Sequence, residues 1–179
     1  MTAAEVLTLA GKHVDDELVF DVCVDWLNEA QETLGADAGV FGINTVVASE
    51  STTFYNFAVS GHQPLDVLEV LDTDMELYTD FDVRAGQIRF ADAGTYSVTY
   101  RRLPAEISAS GQTLEGHALF KPALALFVAS RFKSQDDDEN PDAARLMNEF
   151  WSRVDRARVV LGRQARRTFT VKVMREASS

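Results

Sequence analysis

Cysteine is nearly absent from this chain. Cys23 is the single one in 179 residues, which excludes an intramolecular disulfide and is compatible with a reducing compartment. It falls within an apolar helical pattern and reads as buried filler rather than a reactive thiol. Long apolar runs are missing too; none approaches the roughly 20 residues that a membrane span needs. The N-terminus lacks a basic segment followed by an apolar core, so no secretory signal is visible. A soluble intracellular protein is expected. The phosphate-cradling GxGxxG and GxxxxGK[ST] patterns and the GxSxG elbow do not occur. His13, His62 and His117 are isolated, with no HExxH pair and no cysteine partners at zinc spacing. The expectation is a protein that is not an enzyme, with no catalytic residues, no cofactor and no metal.

Cations are scarce in the first half. Residues 1–92 carry three Lys or Arg against eighteen Asp or Glu, a net of −15. Residues 93–179 carry fourteen against ten, a net of +4, within a total of −11. Between Arg156 and Arg175 there are seven basic residues and no acidic ones. This is either a solvated acidic body with a basic tail or a chain whose ends complement a partner or its own copies, an asymmetry that acts on steering and orientation. Duplex binding by the acidic body is disfavoured, because phosphate contacts need clustered cations. Length and a hydrophobic content of 46% suit one domain with a real core.

The organising stretch runs from Pro64 to Phe150. Before it, residues 1–13 show no strong pattern and read as a loosely held arm. Asp15 or Asp16 is expected to cap a helix over 14–35. Leu18, Val19, Val22, Cys23, Trp26, Leu27, Ala30 and Leu34 line its apolar face, and Gly35 ends it. The stretch from Ala36 to Ser51 is not placed. A small antiparallel β-meander is expected over 52–102. Its candidate strands are Thr52–Val59, Leu65–Leu71, Glu76–Asp82, Gln87–Ala91 and Thr95–Arg101, with turns at Arg84-Ala-Gly86 and Asp92-Ala-Gly94. A helix pair follows over 117–161. Its first member, Phe120–Phe132, is apolar nearly all round and carries Pro122 in its first turn. Asn140, Pro141 and Asp142 open the second, and Gly162 closes it. Arg163–Ser179 is then a basic tail, with Thr168–Val173 alternating as a strand would. The fold class is α+β: a helical bundle core of three main helices, including a C-terminal antiparallel pair, with the meander inserted.

Asp136, Asp138 and Asn140 alternate as in a calcium loop, but Pro141 and Met147 stand where that loop needs Gly and Glu. The run is better explained as an interhelical loop with a cap. Arg101, Arg102, Arg163, Arg166 and Arg167 could touch phosphate, yet no aromatic residues interleave them as a stacking platform requires. An interface role is preferred, with Arg163, Arg166, Arg167, Phe169, Lys172 and Arg175 as candidate partner-contact residues. Trp26 and Trp151 read as core.

The order of elements resembles the head–tail connector (adaptor, or head-completion) family of tailed bacteriophages. The likeness rests on a helix of the type Asp25-Trp-Leu-Asn-Glu-Ala-Gln31 and a β-region ending in Gly94-Thr-Tyr-Ser-Val-Thr-Tyr-Arg-Arg-Leu-Pro104. A helix near His117, a short loop and the Ala144…Leu146…Phe150 helix complete it, over roughly Val14 to Leu161. The resemblance implies a structural virion protein of the neck, made in the host bacterial cytoplasm. Its copies would form a ring, typically of twelve, beneath the portal protein and offer a platform to a stopper or tail-completion protein. DNA would be passing cargo, and no membrane is involved. A tail-completion or tail-terminator protein of the same assembly line is the nearest alternative, with a small nucleic-acid-binding protein behind it.

Overall fold

A computed structural model describes residues 1–35, 39–135 and 140–176, with 162–176 as backbone alone. The chain is mixed α+β and divides into two units, Met1–Ala30 with Ile107–Ser179, and Gln31–Glu106.

The first unit begins with a helix where an arm was expected: α1, Ala3–Val14. Ala3, Val6, Leu7, Ala10 and Val14 recur at helical spacing and are buried. Thr2 and Glu5 form a capping box, the Thr2 hydroxyl accepting from the Glu5 N–H and the Glu5 carboxylate from the Thr2 N–H. The Ala3 and Ala4 N–H groups, also orphaned at the helix start, donate to the carbonyls of Gln112 and Ser110. Asp15, at φ +57, is the left-handed residue that ends α1, and the Asp16 N–H donates back to the Gly11 carbonyl. Gly11 is required there, since a Cβ would lie 2.5 Å from the Asp16 carbonyl oxygen. Asp15 and Asp16 therefore close one helix rather than open the next.

The second helix, α2, spans Phe20–Leu34, starting later than position 14. Cys23, Leu27, Ala30 and Leu34 of its expected face are buried, Trp26 is half-buried, and Val19 and Val22 are exposed. Gly35 follows it at φ +47, as the sequence predicts. Asn28 of α2 pins the polar connection, donating to the Ile107 carbonyl and accepting from its N–H. Glu29 pairs with Arg131.

Helix α3, Lys121–Ser134, packs against α1 and against α4, Pro141–Glu176. Every residue from Ala123 to Ser130 is buried, the all-round coverage its apolar sequence demands. Asn140 caps α4, its side-chain oxygen accepting from the Asp142 and Ala143 N–H groups. Across the α3–α4 seam Phe127 meets Phe150 edge-on at 5.3 Å, and the Ser130 hydroxyl donates to the Ala143 carbonyl at 2.8 Å. Gly162 does not end α4, and 168–173 is helical rather than strand-like. One glycine costs a helix only about 1 kcal/mol relative to alanine, and the arginines, glutamine and alanine after it are good helix formers.

The second unit is two three-stranded antiparallel sheets enclosing one core, rather than a meander. One sheet orders β1 (Phe41–Ala48), β6 (Gly94–Arg102) and β3 (Pro64–Leu71), with β6 in the middle. The other orders β2 (Tyr55–Asn56), β5 (Gln87–Phe90) and β4 (Phe81–Arg84). The β-region thus begins at Phe41 rather than 52. Most of Thr52–Val59 is not strand, and the Glu76–Asp82 candidate contributes only its last two residues, to β4. Ala85 and Gly86, at φ +47 and +78, make the tight β4–β5 turn, which needs positive φ at both central positions. Val46, Phe57, Val70, Ile88, Phe90, Tyr96, Val98 and Tyr100 form the core. Phe90 stacks on Tyr96 at 3.9 Å. Gly94 was expected to supply a permissive turn; it lies in β6, and its value is space, because a Cβ would meet the Tyr96 ring at 3.1–3.3 Å.

Candidate interaction surfaces

Each buried tyrosine of the second unit has its hydroxyl satisfied. The Tyr100 hydroxyl accepts from the Val59 N–H at 2.9 Å and is hydrogen-bonded to His62 Nδ1 at 2.8 Å. The Tyr96 hydroxyl donates to the Asp92 carbonyl, and burial together with Tyr78 pushes its pKa up to about 12. His62 therefore sits beside a structural tyrosine, on a cleft of about 590 Å³ lined by Phe57, Ser60, Pro64 and Gly86 among others. His117 accepts from the Leu119 N–H, and His13 lies in the last turn of α1. The three histidines stay apart in sequence and in partners. Among the described residues no group of His, Cys, Asp and Glu could hold a metal ion, and no helix is long and apolar enough to cross a membrane. Burial pushes the Cys23 thiol up, which lowers its reactivity.

The arginines divide into two sets. Arg101 forms a two-pronged pair with Asp66 across β6 and β3 and holds that carboxyl below its ordinary range. Arg102 is buried and donates to the Leu103 carbonyl. Both serve the sheet. In the first half of α4, Arg145, Arg153 and Arg158 pair within the helix, with Asp142, Glu149 and Asp155. Arg163, Arg166, Arg167, Phe169, Lys172 and Arg175 lie on the α4 backbone, on a helix rather than a tail. Their side chains lie outside the described residues, as does 136–139 of the acidic loop.

The side chains of α4 are described as far as Leu161 and bury one face at helical spacing. Its buried positions are Ala143, Leu146, Phe150, Val154 and Ala157. Trp151 is 39% exposed, so it is not the core residue the sequence implied, and Val159 and Val160 are exposed as well. Arg156, Val159 and Val160 line a shallow cleft of about 660 Å³ with Ser152 and Asp155. A second apolar surface was missed by sequence reasoning: Phe41, Ile43 and Val47 on β1 are 55%, 67% and 66% exposed. Its signal was present, since a strand apolar on both faces needs cover on both.

No protein-family model matches the chain, and no curated protein matches it.

Proposed function

We propose that this chain is a structural virion protein of a tailed phage, a head–tail connector whose copies form a ring under the portal. The ring extends the DNA channel and carries the stopper or tail. In this reading the core is a helical bundle, α3 is its buried centre, and the β unit inserted between α2 and α3 faces neighbouring components. Assembly, not chemistry, is its task.

The observation that carries the reading is the mismatch between α3 and α4. At 1.5 Å per residue, α3 is about 21 Å long and α4 about 54 Å. The side chains of α4 are described to Leu161 and bury one face from Ala143 to Ala157, and the helix backbone continues to Glu176 through the most basic stretch of the chain. A long helix gains most of its stability from an apolar face packed on something. A cationic extension on an otherwise acidic protein suits head-to-tail contacts that close into a ring, or docking on a portal.

Negative-stain electron microscopy of the protein mixed with the portal ring from the same source tests this. A second ring stacked on the portal supports the connector reading and gives its symmetry. Bare portals beside protein bound to tail-tube ends would replace it with tail completion. A salt-sensitive shift with plain duplex DNA would replace it with nucleic-acid binding. Deleting residues 163–179 should leave the fold intact and abolish stacking; a truncated protein that unfolds, or one that still stacks normally, would count against the reading.

A further inference from the structure

The two sheets have four edges, and three carry features that discourage pairing with another strand. Strand β3 has Pro64, Asp66, Glu69 and two register shifts. Strand β2 is two residues long, and β4 is four residues long with Asp82 and Arg84. Strand β1 has none of these. It is eight residues, Phe-Gly-Ile-Asn-Thr-Val-Val-Ala, without charge or proline, and it pairs with β6 in unbroken register from Phe41 to Ala48. Among the described residues β6 is its one strand partner, so its other edge presents free N–H and C=O groups.

We propose that β1 is a self-pairing strand, through which two copies of the chain join antiparallel, edge to edge. Two features select a second copy as the occupant. The chain carries a net charge of −11, so a surface that meets its own copy must avoid like charges, and β1 is an uncharged octet. Its outer face also has a β-branched residue on either side of Thr45, Ile43 and Val47. Alternation places Phe41, Ile43, Thr45 and Val47 on the exposed face. A two-fold axis at Thr45 sets Ile43 opposite Val47 of the second copy, and Thr45 opposite Thr45. Cross-strand pairs of β-branched residues and of threonines are favourable in antiparallel sheets. The result is one continuous six-stranded sheet whose exposed apolar strip lies at its centre. The pairing is isologous and uses no part of α4, so it stands apart from the ring reading.

Sedimentation velocity across the micromolar range tests it on the full chain. The expected result is a monomer–dimer equilibrium. Ile43→Lys with Val47→Lys places lysine opposite lysine twice, and should weaken the dimer by about tenfold or more. Ile43→Lys with Val47→Glu places lysine opposite glutamate in the same register and should restore it. Both positions are about two-thirds exposed, so the double variants should keep the native circular dichroism spectrum and melting point. Thr45→Cys should oxidise to a cross-linked dimer, because Cys23 is buried and directly opposed residues lie at about 4.5–5.5 Å between Cα atoms, within disulfide reach. A chain that stays monomeric throughout, or a self-association that the double lysine variant leaves intact, overturns the proposal. The second outcome would assign self-association to another surface, as ring formation through α4 would.

Discussion

Two uncharged octets in this chain meet opposite fates. Ala123–Ser130 of α3 is buried at every position, whereas β1 buries Gly42, Val46 and Ala48 and exposes Phe41, Ile43 and Val47. Their compositions are similar; their neighbours are not. A helix lying against both α1 and α4 has little surface left for water. A strand at the edge of a three-stranded sheet is covered on its inner face, and its outer face and outer edge wait for something else. The difference teaches that apolar content measures a need for cover, while the arrangement of elements decides whether this chain supplies it.

The comparison breaks most visibly at the α3–α4 seam. Phe150→Ala removes a fully buried ring that packs edge-on to Phe127, and should cost about 3–5 kcal/mol in urea unfolding. A loss below about 1 kcal/mol would mean that the seam is not packed as described. On the inner face of β1, Gly42→Ala drives a methyl to 2.4 Å from the Tyr100 ring. It should destabilise by about 1–3 kcal/mol, even though alanine is the smallest addition available. Asn140→Ala deprives the start of α4 of its cap, with about 1 kcal/mol lost in the same assay.

The pair formed by Asp66 and Arg101 sharpens the contrast between the protected edge strand β3 and the bare β1. Because the Asp66 carboxyl is held low in the folded state, its contribution is present at neutral pH and above. It fades as pH falls through that lowered value. The melting-point difference between the wild type and Asp66→Asn should therefore be largest near pH 7 and should vanish as both approach acid; a difference independent of pH would sink the assignment. Both side chains are more than a third exposed, so the effect is small. Smallest of all is Ile43→Lys, expected to shift the monomer's stability by no more than about 0.5 kcal/mol, while acting on self-association.

Much of the helical unit was legible in the sequence. The α3 run, the Asn140-Pro141-Asp142 start and the Gly35 stop are local signals, and local hydrogen bonding realises them. Helix α1 was equally legible in Thr2, Glu5 and the spacing of Val6, Leu7, Ala10 and Val14, but its alanine-rich face is a weak hydrophobic signal and it was read as an arm. Asp15 can cap a helix or end one in the left-handed region, and residue type alone does not separate the two uses. The β unit was legible as strands and turns but not as a topology. Placing β6 between β1 and β3 depends on pairing residues far apart in the chain, and β1 was masked because its exposed positions are as apolar as its buried ones. Of the interface, the charge asymmetry was visible at once. That its basic stretch continues a helix was not, since Gly162 and an alternating segment pointed the other way.

By itself the sequence determined that this chain is mixed α and β, where α3 and α4 start and where α2 stops. It also determined that acidic and basic residues are segregated, because propensity, capping and charge are properties of residues within a few positions of one another. Tertiary structure alone decided that the β-region is two sheets around a tyrosine-anchored core and that α4 outruns its partner. It also decided that β1 keeps a bare edge. Those depend on which distant segments meet, and burial and strand pairing are properties of the meeting rather than of either segment.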